Sequence, residues 1–464
     1  MAGKVWGVIS ARHSLLRLVS VMVMLGFVAS LFAVITFERT YGGTNSDEGL
    51  EVEQTSDQGY IIAGSTRSFG AGEYDVYLIK TDSLGDTLWT KVYGGTDWDK
   101  AQSVQQTQDG GYIIGGWTQS FGNGVSDAYL IKTNASGDIV WTRTYGGTDG
   151  DDGQCVRQTS DSGYIFVGRT NSSGAGDFDV YLVKTDVSGD SMWAKTFGSA
   201  YIDFAVCVQQ TSDEGYIIVG MNGSLAGGDV YLIKTDSLGD SLWTRVYGGG
   251  NSDRGYFVNL TQDGGYIITG ETSSYGAGGS DVYLIKTDAS GDTTWTRTYG
   301  GSGSEAGVSV QQTQDGGYII AGRTQSYGAG ELDAYLIKTD SSGDTMWTRT
   351  YGGASYDWGF SAQQTLDDGY IMAGYTQSFG AGSYDFYLIK TDQNGNVGVE
   401  EESQKAVDRS VSATIVSGPL LLPEDKMCRV FDVSGRLVTP DLIMPGVYFL
   451  EIEGEITQKI VKIR

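Results

Sequence analysis

Seven acidic residues recur along the chain at a spacing that could build a ring of metal ligands. Each stands six positions after a Tyr or Phe, and they are Asp47, Asp99, Asp151, Asp203, Asp253, Glu305 and Asp357. Ca²⁺ takes six or more oxygen ligands, which carboxylates supply well. The alternative is that each acid accepts nearby backbone N–H groups or pairs with a Lys such as Lys80 or Lys91. The spacing matches no EF-hand or nonapeptide calcium motif, so we expect no metal and no cofactor and do not favour Ca²⁺.

Chemistry that depends on His has one candidate residue, and it lies near the N-terminus. His13 is the single His, so the chain beyond residue 36 has no Ser–His–Asp or Cys–His arrangement and no His ligand for a metal. Three Cys are too few for a disulfide scaffold. Cys155 and Cys207 occupy equivalent places in consecutive repeats, and a bond would need Cα atoms within about 7 Å. We expect two small buried thiols instead.

Positions that differ between the repeats are the better candidates for ligand binding, because positions constant in every copy most simply serve the fold. The fifth residue after a recurring Tyr varies widely: Ser65, Trp117, Arg169, Met221, Glu271, Arg323 and Tyr375. A second loop family adds aromatic residues. Aromatic faces beside Asp and Arg can stack on a sugar or hold a peptide, and the alternative is packing between loops. We assign no catalytic residue, and the candidate ligand-binding residues are Trp98, Trp117, Arg169, Arg323, Tyr356, Trp358 and Tyr375.

An internal repeat must position these residues. Its Tyr marker advances in steps of 52, 52, 52, 50, 52 and 52 residues, through Tyr60, Tyr112, Tyr164, Tyr216, Tyr266, Tyr318 and Tyr370. A Trp marker follows at Trp89, Trp141, Trp193, Trp243, Trp295 and Trp347. We interpret the Trp series as packing between neighbouring repeats, because large aromatic side chains bury the most area.

Each repeat is predicted to contain four β-strands. In residues 98–149, extended apolar runs are separated by a turn at 108–111, a Gly-rich loop and a second turn at 136–138, with no helical periodicity. Four strands in about 50 residues, repeated seven times, predict an all-β, seven-bladed β-propeller rather than an open solenoid. The seventh copy lacks the Trp strand, and Phe37–Tyr41 aligns with Trp89–Tyr93. The N-terminal strand is therefore expected to close the last blade, which leaves no free sheet edge.

The repeat resembles bacterial extracellular propeller repeats of the form GGYIIAG…DxYLIKTDxxGDxxWTRTYGG, from Phe37 to about Val397. It is more distantly similar to kelch and quinoprotein-type blades. The resemblance implies an architecture and no particular activity, since propellers have many unrelated functions.

The two ends of the chain point to export. Residues 1–36 carry Lys and Arg before an apolar run without acids, which predicts a signal peptide or an N-terminal anchor. The propeller is assigned to residues 37–398, and an acidic linker to residues 399–412. Residues 413–464 are predicted to form a small β-sandwich-like domain.

That last domain resembles the C-terminal sorting domain of type IX secretion substrates. The matching motifs are VFDVSGRLV, PGVYF and a basic apolar terminus, while Gly418–Pro423 stands where the family has an Asn-Pro segment. The sorting residues that the resemblance implies are Gly435, Arg436, Pro445, Gly446 and Tyr448. It also implies that the secretion machinery recognises residues 413–464.

Composition narrows the function further. The net charge is −26, with 57 acidic and 31 basic residues, which argues against nucleic-acid binding. We expect a secreted or surface-attached monomer that touches a membrane only through residues 1–36. Its expected role is to bind an extracellular glycan or protein. The alternative is a carboxylate-based glycosidase or lyase, which needs two acids at a defined separation.

Overall fold

The computed structural model describes residues 35–223 and 227–398, and five short strands nearer the C-terminus. It divides into two compact units, Met1–Val399 and Glu400–Arg464. The described residues contain strands and turns and no helix, and hence no helix that is long and apolar enough to cross a membrane. The predicted signal segment lies outside the described residues.

Seven four-stranded antiparallel sheets make up the first unit, and each is one blade. Blade 1 contains β2 (Asp47–Gln54), β3 (Tyr60–Thr66), β4 (Asp75–Thr81) and β5 (Thr87–Tyr93) in that order. The strands of blades 2 to 4 are β6 (Asp99–Gln106), β7 (Tyr112–Thr118), β8 (Asp127–Thr133), β9 (Ile139–Tyr145), β10 (Asp151–Gln158), β11 (Tyr164–Thr170), β12 (Asp179–Thr185), β13 (Ser191–Phe197), β14 (Phe204–Gln210), β15 (Tyr216–Asn222), β16 (Asp229–Thr235) and β17 (Ser241–Tyr247). Those of blades 5 to 7 are β18 (Asp253–Leu260), β19 (Tyr266–Thr272), β20 (Asp281–Thr287), β21 (Thr293–Tyr299), β22 (Glu305–Gln312), β23 (Tyr318–Thr324), β24 (Asp333–Thr339), β25 (Thr345–Tyr351), β26 (Asp357–Gln364), β27 (Tyr370–Thr376), β28 (Asp385–Thr391) and, from the start of the chain, β1 (Phe37–Tyr41).

Strand β1 closes the ring. It pairs antiparallel with β28, with Phe37 opposite Lys390 and Tyr41 opposite Phe386. Blade 7 therefore consists of three strands from the end of the repeat region and one from its beginning. The predicted seven-bladed propeller with N-terminal closure is confirmed.

Each strand of a blade has its own environment. The first strands of successive blades lie next to one another and form the wall of a central channel. The third strand is buried along its whole length in most blades, as in β4, and the second strand is buried at all or all but one of its positions, as in β7, because β-branched and aromatic side chains pack on both faces of the sheet. The fourth strand is outermost and alternates between exposed and covered residues, as in β21.

A glycine near the end of each second strand lets the first strand approach. A Cβ added to Gly64 would overlap the carbonyl oxygen of Glu48 on β2. Strand β2 bulges immediately afterwards, between Gly49 and Glu51. The bulge turns extra side chains toward the channel.

The loops fall on two faces of the propeller. One face, called the loop face, carries the loops between second and third strands together with the connections between blades. Tyr74, in the loop between the second and third strands of blade 1, forms a β-bridge with Trp98, in the connection to blade 2. The Asp99 N–H donates to the Tyr74 carbonyl oxygen at 2.8 Å. Both loop families therefore share one face. The opposite, hairpin face carries the tight hairpins that join first to second and third to fourth strands, two in each of blades 1 to 6 and one in blade 7.

Neighbouring blades are joined by the markers seen in the sequence. Trp89 of blade 1 meets Tyr112 of blade 2 edge to face, with ring centroids 5.9 Å apart. The Tyr93 hydroxyl donates to the carbonyl oxygen of Gly137, again across the blade boundary. The interpretation of the Trp series as packing between repeats is confirmed.

The recurring acids accept hydrogen bonds from the loops on the loop face. Asp47 accepts the Gly43 N–H at 2.7 Å and the Ser68 hydroxyl at 2.7 Å, and also binds the Thr66 hydroxyl. The part of the prediction that assigned them to nearby backbone N–H groups is confirmed. The suggested pairing with Lys80 or Lys91 is wrong, because those side chains point to the hairpin face and bind Asp57 and Asp138 there.

The described part of the C-terminal unit is one five-stranded sheet. Its strands are β29 (Thr414–Val416), β30 (Cys428–Asp432), β31 (Leu437–Val438), β32 (Gly446–Ile452) and β33 (Glu455–Lys462). Their order is β29-β33-β32-β30-β31, with β29 parallel to β33 and the other pairs antiparallel.

Candidate binding site at the channel mouth

The central channel holds a cavity of about 240 Å³ on the side of the loop face. Residues of the first strands line it, among them Leu50, Gln102, Gln154, Val206 and Phe360. A smaller, more polar cavity of about 150 Å³ continues toward the hairpin face. Its lining is rich in amide side chains from the same strands.

A buried ion pair separates the two cavities. Arg157 of blade 3 donates to the Glu51 carboxylate of blade 1 at 2.8 Å and to the Ser103 hydroxyl of blade 2 at 3.0 Å. Both charged side chains border both cavities and are largely buried. A buried pair of this kind is costly to break, because removing one partner leaves the other charge without compensation.

The variable residues of the sequence meet at the channel mouth. Each variable position of a second strand lies opposite a residue near the start of the first strand of the same blade, and that residue also varies. The seven pairs are Glu48 with Ser65, Lys100 with Trp117, Asp152 with Arg169, Phe204 with Met221, Arg254 with Glu271, Ala306 with Arg323, and Trp358 with Tyr375.

These pairs form two columns of variable residues, one on the first strands and one on the second strands. In most blades, the sequence analysis identified only the second-strand residue of the pair. It missed Glu48, Lys100, Asp152 and Arg254, which are the four charged residues on the first-strand side. The first-strand residues could have been found from the antiparallel register across the short hairpin. That register places a first-strand residue directly opposite each variable second-strand residue, so the two side chains interact and are expected to vary together.

A first group of predicted residues is centred on Trp98. This ring stacks on Trp117 with 6.4 Å between centroids, and it lies 5.0 Å from Tyr74. The Lys100 ammonium stands 4.0 Å from the centroid of the Tyr74 ring and forms an ion pair with Glu48 at 3.0 Å. Trp98 remains 38% exposed.

A second group is centred on Trp358. Tyr375 and Phe360 stack against it, with centroids 5.5 and 5.6 Å away. The Arg323 guanidinium from the preceding blade lies 4.1 Å from its centroid and also reaches Glu271 at 3.6 Å. Three predicted residues, Arg323, Trp358 and Tyr375, therefore come together.

Glu48 connects the two groups. Its carboxylate accepts the Tyr74 hydroxyl at 3.2 Å. It also lies close enough to Tyr375 to act on its titration: burial raises the pKa of Tyr375, and the charge of Glu48 raises it further. We call the continuous set Tyr74, Trp98, Trp117, Trp358, Phe360 and Tyr375 the aromatic arc.

Two predicted residues, Arg169 and Tyr356, belong to neither of these two groups. Arg169 belongs to blade 3, where it binds Asp152 at 2.6 Å and covers the ring of Phe178. Tyr356 stands on the connection into blade 7 and is 37% exposed, and a hydrogen bond with Glu331 raises its pKa. It is linked to the arc through Tyr384, whose ring centroid lies 5.1 Å from that of Tyr375.

Two acids in the channel occur in blade 1 alone. Glu51 accepts the Val104 N–H, and Glu53 accepts the Gln106 N–H. In blade 2 the equivalent residues Ser103 and Gln105 accept the N–H groups of blade 3 in the same way. Burial raises the pKa of Glu53 to about 7. Both acids thus make the contacts that neutral side chains make elsewhere in the ring.

The predicted sorting residues lie outside the propeller. Gly435, Arg436 and Pro445 lie outside the described residues. Gly446 begins β32, and the backbone of Tyr448 pairs with Asp432 and Ile460. Their role in sorting stays a prediction.

Comparison with known proteins yields distant likenesses. No family model matches the chain. It is 26% identical over 201 residues to the regulatory protein FlaEY of Caulobacter vibrioides, a match that covers 37% of this chain and 21% of that protein. The chain thus spans about a fifth of that relative's length.

The chain is also similar to several solved structures at low identity. Puromycin hydrolase is 12% identical, with a TM-score of 0.47 over 88% of this chain and 59% of the other. Sqt1 of Chaetomium thermophilum is 9% identical, with a TM-score of 0.45 over 77% and 98%. A fungal alcohol oxidase is 12% identical, with a TM-score of 0.43 over 92% and 97%. Nothing about function follows from likenesses at this level.

Proposed function

We propose that the propeller is a binding module that holds a polypeptide ligand against the aromatic arc at the channel mouth. The observation that carries this proposal is the meeting of both variable columns around one opening. Residues that differ from blade to blade form a continuous surface there, rich in Trp, Tyr and Arg. These side chains dominate the binding energy of protein interfaces.

Of the two expected ligand classes, the packing of the arc favours a polypeptide over a glycan. A sugar stacks on a free aromatic face. In the arc, Trp358 is covered by Tyr375, Phe360 and Arg323, and Trp98 is covered by Trp117 and Tyr74. What the arc offers to a ligand is ring edges and charged groups, which suit peptide amides and charged side chains.

The test is a peptide array and a glycan array probed with the full chain, followed by titration of the strongest ligand. Trp98→Ala should weaken binding about tenfold or more, as expected for an interface hot spot. Phe121→Ala is the matched control, because Phe121 is a similarly exposed loop-face aromatic of the same blade that packs on Tyr129 outside the arc. It should change affinity less than about twofold. Equal losses in both variants, or binding to glycans alone, would contradict the proposal.

The enzymatic alternative is supported by one observation, the raised pKa of Glu53 beside Glu51 in the channel. A glycosidase or lyase built on this pair would lose turnover in Glu53→Gln. The acid beside Arg169 is Asp152, which binds Arg169 and accepts a hydrogen bond from the Ser126 hydroxyl.

Export and localisation remain part of the proposal. Residues 1–36 would direct the chain across an inner membrane, and residues 413–464 would direct it across an outer membrane to the surface or the medium. Removing 430–464 should then trap the protein in the periplasm, as measured by cell fractionation. Undiminished surface delivery of the truncated chain would refute this route without affecting the binding proposal.

A further inference from the structure

Two thiols lie side by side in the channel wall where blades 3 and 4 meet. Cys155 on β10 and Cys207 on β14 are free and buried, 4% and 1% exposed. The Cys155 sulfur lies 3.8 Å from the carbonyl oxygen of Val208, the residue that follows Cys207. The two side chains belong to one packed cluster and interact directly.

These thiols are specific to two blades. The same position elsewhere carries Glu51, Ser103, Phe257, Ser309 and Ser361. Three of those five residues are Ser, so a hydroxyl fits this place in the wall without rearrangement. A thiol pair is therefore not needed for the packing of the ring.

The charges around the pair distinguish the two sulfurs. The neighbouring Cys207 thiol and the buried Arg157 guanidinium together lower the pKa of Cys155 below its ordinary value, against the opposing effects of burial and of Glu51. Burial raises the pKa of Cys207. Since the thiolate is the nucleophile, the direction of these shifts makes Cys155 the more reactive of the two thiols.

Access from the channel also favours Cys155 over Cys207 as the reacting thiol. Cys155 lines the cavity of about 240 Å³, together with its neighbours Gln154 and Arg157. Cys207 lies behind that surface, which Val206 forms in blade 4. A small molecule that enters from the loop face would meet Cys155 first.

We propose that Cys155 and Cys207 form a thiol–disulfide exchange site, with Cys155 as the attacking thiol and Cys207 as the resolving one. The Cys155 thiolate attacks one sulfur of a small organic disulfide, forms a mixed disulfide and releases one small thiolate. Cys207 then gives up its proton and attacks the Cys155 sulfur, which releases the second small thiolate. The two protein thiols are oxidised to one bond between blades 3 and 4, and one external disulfide is reduced to two thiols.

The test uses the reduced full-length chain, freed of reductant and incubated with the disulfide of mercaptoethanol at pH 7. Samples taken over time are mapped by mass spectrometry without reduction. In the unchanged protein, a mixed disulfide on Cys155 should appear first and be replaced by a peptide that links Cys155 to Cys207. Peptide mapping also separates this product from any that contains Cys428.

Two Ser variants fix the order of events. Cys207→Ser should accumulate the mixed disulfide on Cys155, while Cys155→Ser should modify Cys207 at least about tenfold more slowly. Because blades 2, 6 and 7 carry Ser at the same position, both variants are expected to fold, and the unfolding temperature checks this. Equal rates at both thiols, or mixed disulfides on both without an internal bond, would overturn the proposal.

Discussion

The Tyr41 hydroxyl donates a hydrogen bond of 2.6 Å to the carbonyl oxygen of Gly85, which joins blade 7 to blade 1. Tyr93 makes the same bond to Gly137 between blades 1 and 2, at the same distance. Phe37 meets Tyr60 edge to face at 6.1 Å, as Trp89 meets Tyr112. The closing junction therefore uses the contacts of an ordinary blade boundary, although its two sides come from opposite ends of the repeat region.

Deletion of residues 37–41 should destabilise the propeller and promote aggregation. The edge of β28 would lose its partner, and an unpaired strand edge recruits other chains. The measurements are the unfolding temperature and light scattering during heating.

Tyr41→Phe and Tyr93→Phe are the matched single variants. Each removes one hydroxyl bond at an equivalent boundary, and each should cost about 1 kcal/mol of unfolding free energy. An unchanged unfolding temperature and solubility of the deletion would show that β1 does not hold the ring closed.

Asp75→Asn should stabilise the protein at pH 7. Asp75 lies across Gly94 from Asp99 of the next blade, and burial, followed by the Asp99 charge, raises the pKa of Asp75 above 3.8. A raised pKa means that Asp75 holds its proton more tightly in the folded state than in the unfolded state. Protonated Asp75 therefore contributes stability at low pH, and this contribution is lost as the pH rises through the pKa of the folded state. An Asn keeps the acceptor for the Ala71 and Gly72 N–H groups and carries no charge. We expect a gain of about 1 kcal/mol at pH 7 that disappears on acidification, measured by urea unfolding at several pH values.

Asp57→Asn should have the opposite effect in the same blade. Burial opposes ionisation of Asp57, but hydrogen bonds from Thr55, Lys80 and the Gly59 N–H outweigh it and hold its pKa below 3.8. Ionised Asp57 therefore contributes stability at pH values above its pKa in the unfolded state, and this contribution is lost as the pH falls through its pKa in the folded state. The Asn variant should therefore lose stability at pH 7 and converge with the unchanged protein in strong acid. If both variants shift stability in the same direction at pH 7, the assignment of the two charge environments is wrong.

Gly64→Ala should cost about 3 kcal/mol or more, because its Cβ would overlap the backbone carbonyl of Glu48 and force β2 and β3 apart. Gly110→Ala is the control. Gly110 has a φ of 80° in a hairpin with open space around it, so the cost there is only the left-handed backbone, about 1 kcal/mol. Chemical denaturation measures both, and similar losses would show that the close approach at Gly64 does not limit the packing.

Glu51→Gln and Glu53→Gln should differ sharply. The first change leaves the buried Arg157 without its counter-charge and should cost about 3 to 5 kcal/mol. The second replaces a carboxylate with the amide found at the same place in blades 2, 4, 6 and 7, and should be nearly neutral below pH 7.

The pH dependence of Glu53→Gln gives an independent check. Burial raises the pKa of Glu53 to about 7, so the stability that the neutral acid contributes is lost as the pH rises through that value. The Gln variant should therefore become relatively more stable above pH 7, as followed by the unfolding temperature. A constant difference across this range would mean that Glu53 is not protonated in the folded channel.

Much of the architecture could be predicted from the sequence because every blade repeats it. Trp89 against Tyr112 is one of six such contacts, and their period, together with the missing seventh Trp, was enough to place β1 in blade 7. The alternation of apolar runs and Gly-containing turns indicated four strands per repeat. A contact that every blade repeats produces a regular spacing of residues in the sequence, and this spacing can be recognised without a structure.

The contacts made once could not be read in this way. Arg323 over Trp358, Arg157 with Glu51, and Cys155 beside Cys207 join different blades, and no period marks them. The partner of Lys80 was misjudged for a related reason, because hairpin register decides which of two nearby acids shares its face. The amino-acid sequence by itself thus determined the repeat, the blade count and the closing strand. Only the tertiary structure decided which variable side chains meet at the channel, because circular closure brings together residues that local spacing does not relate.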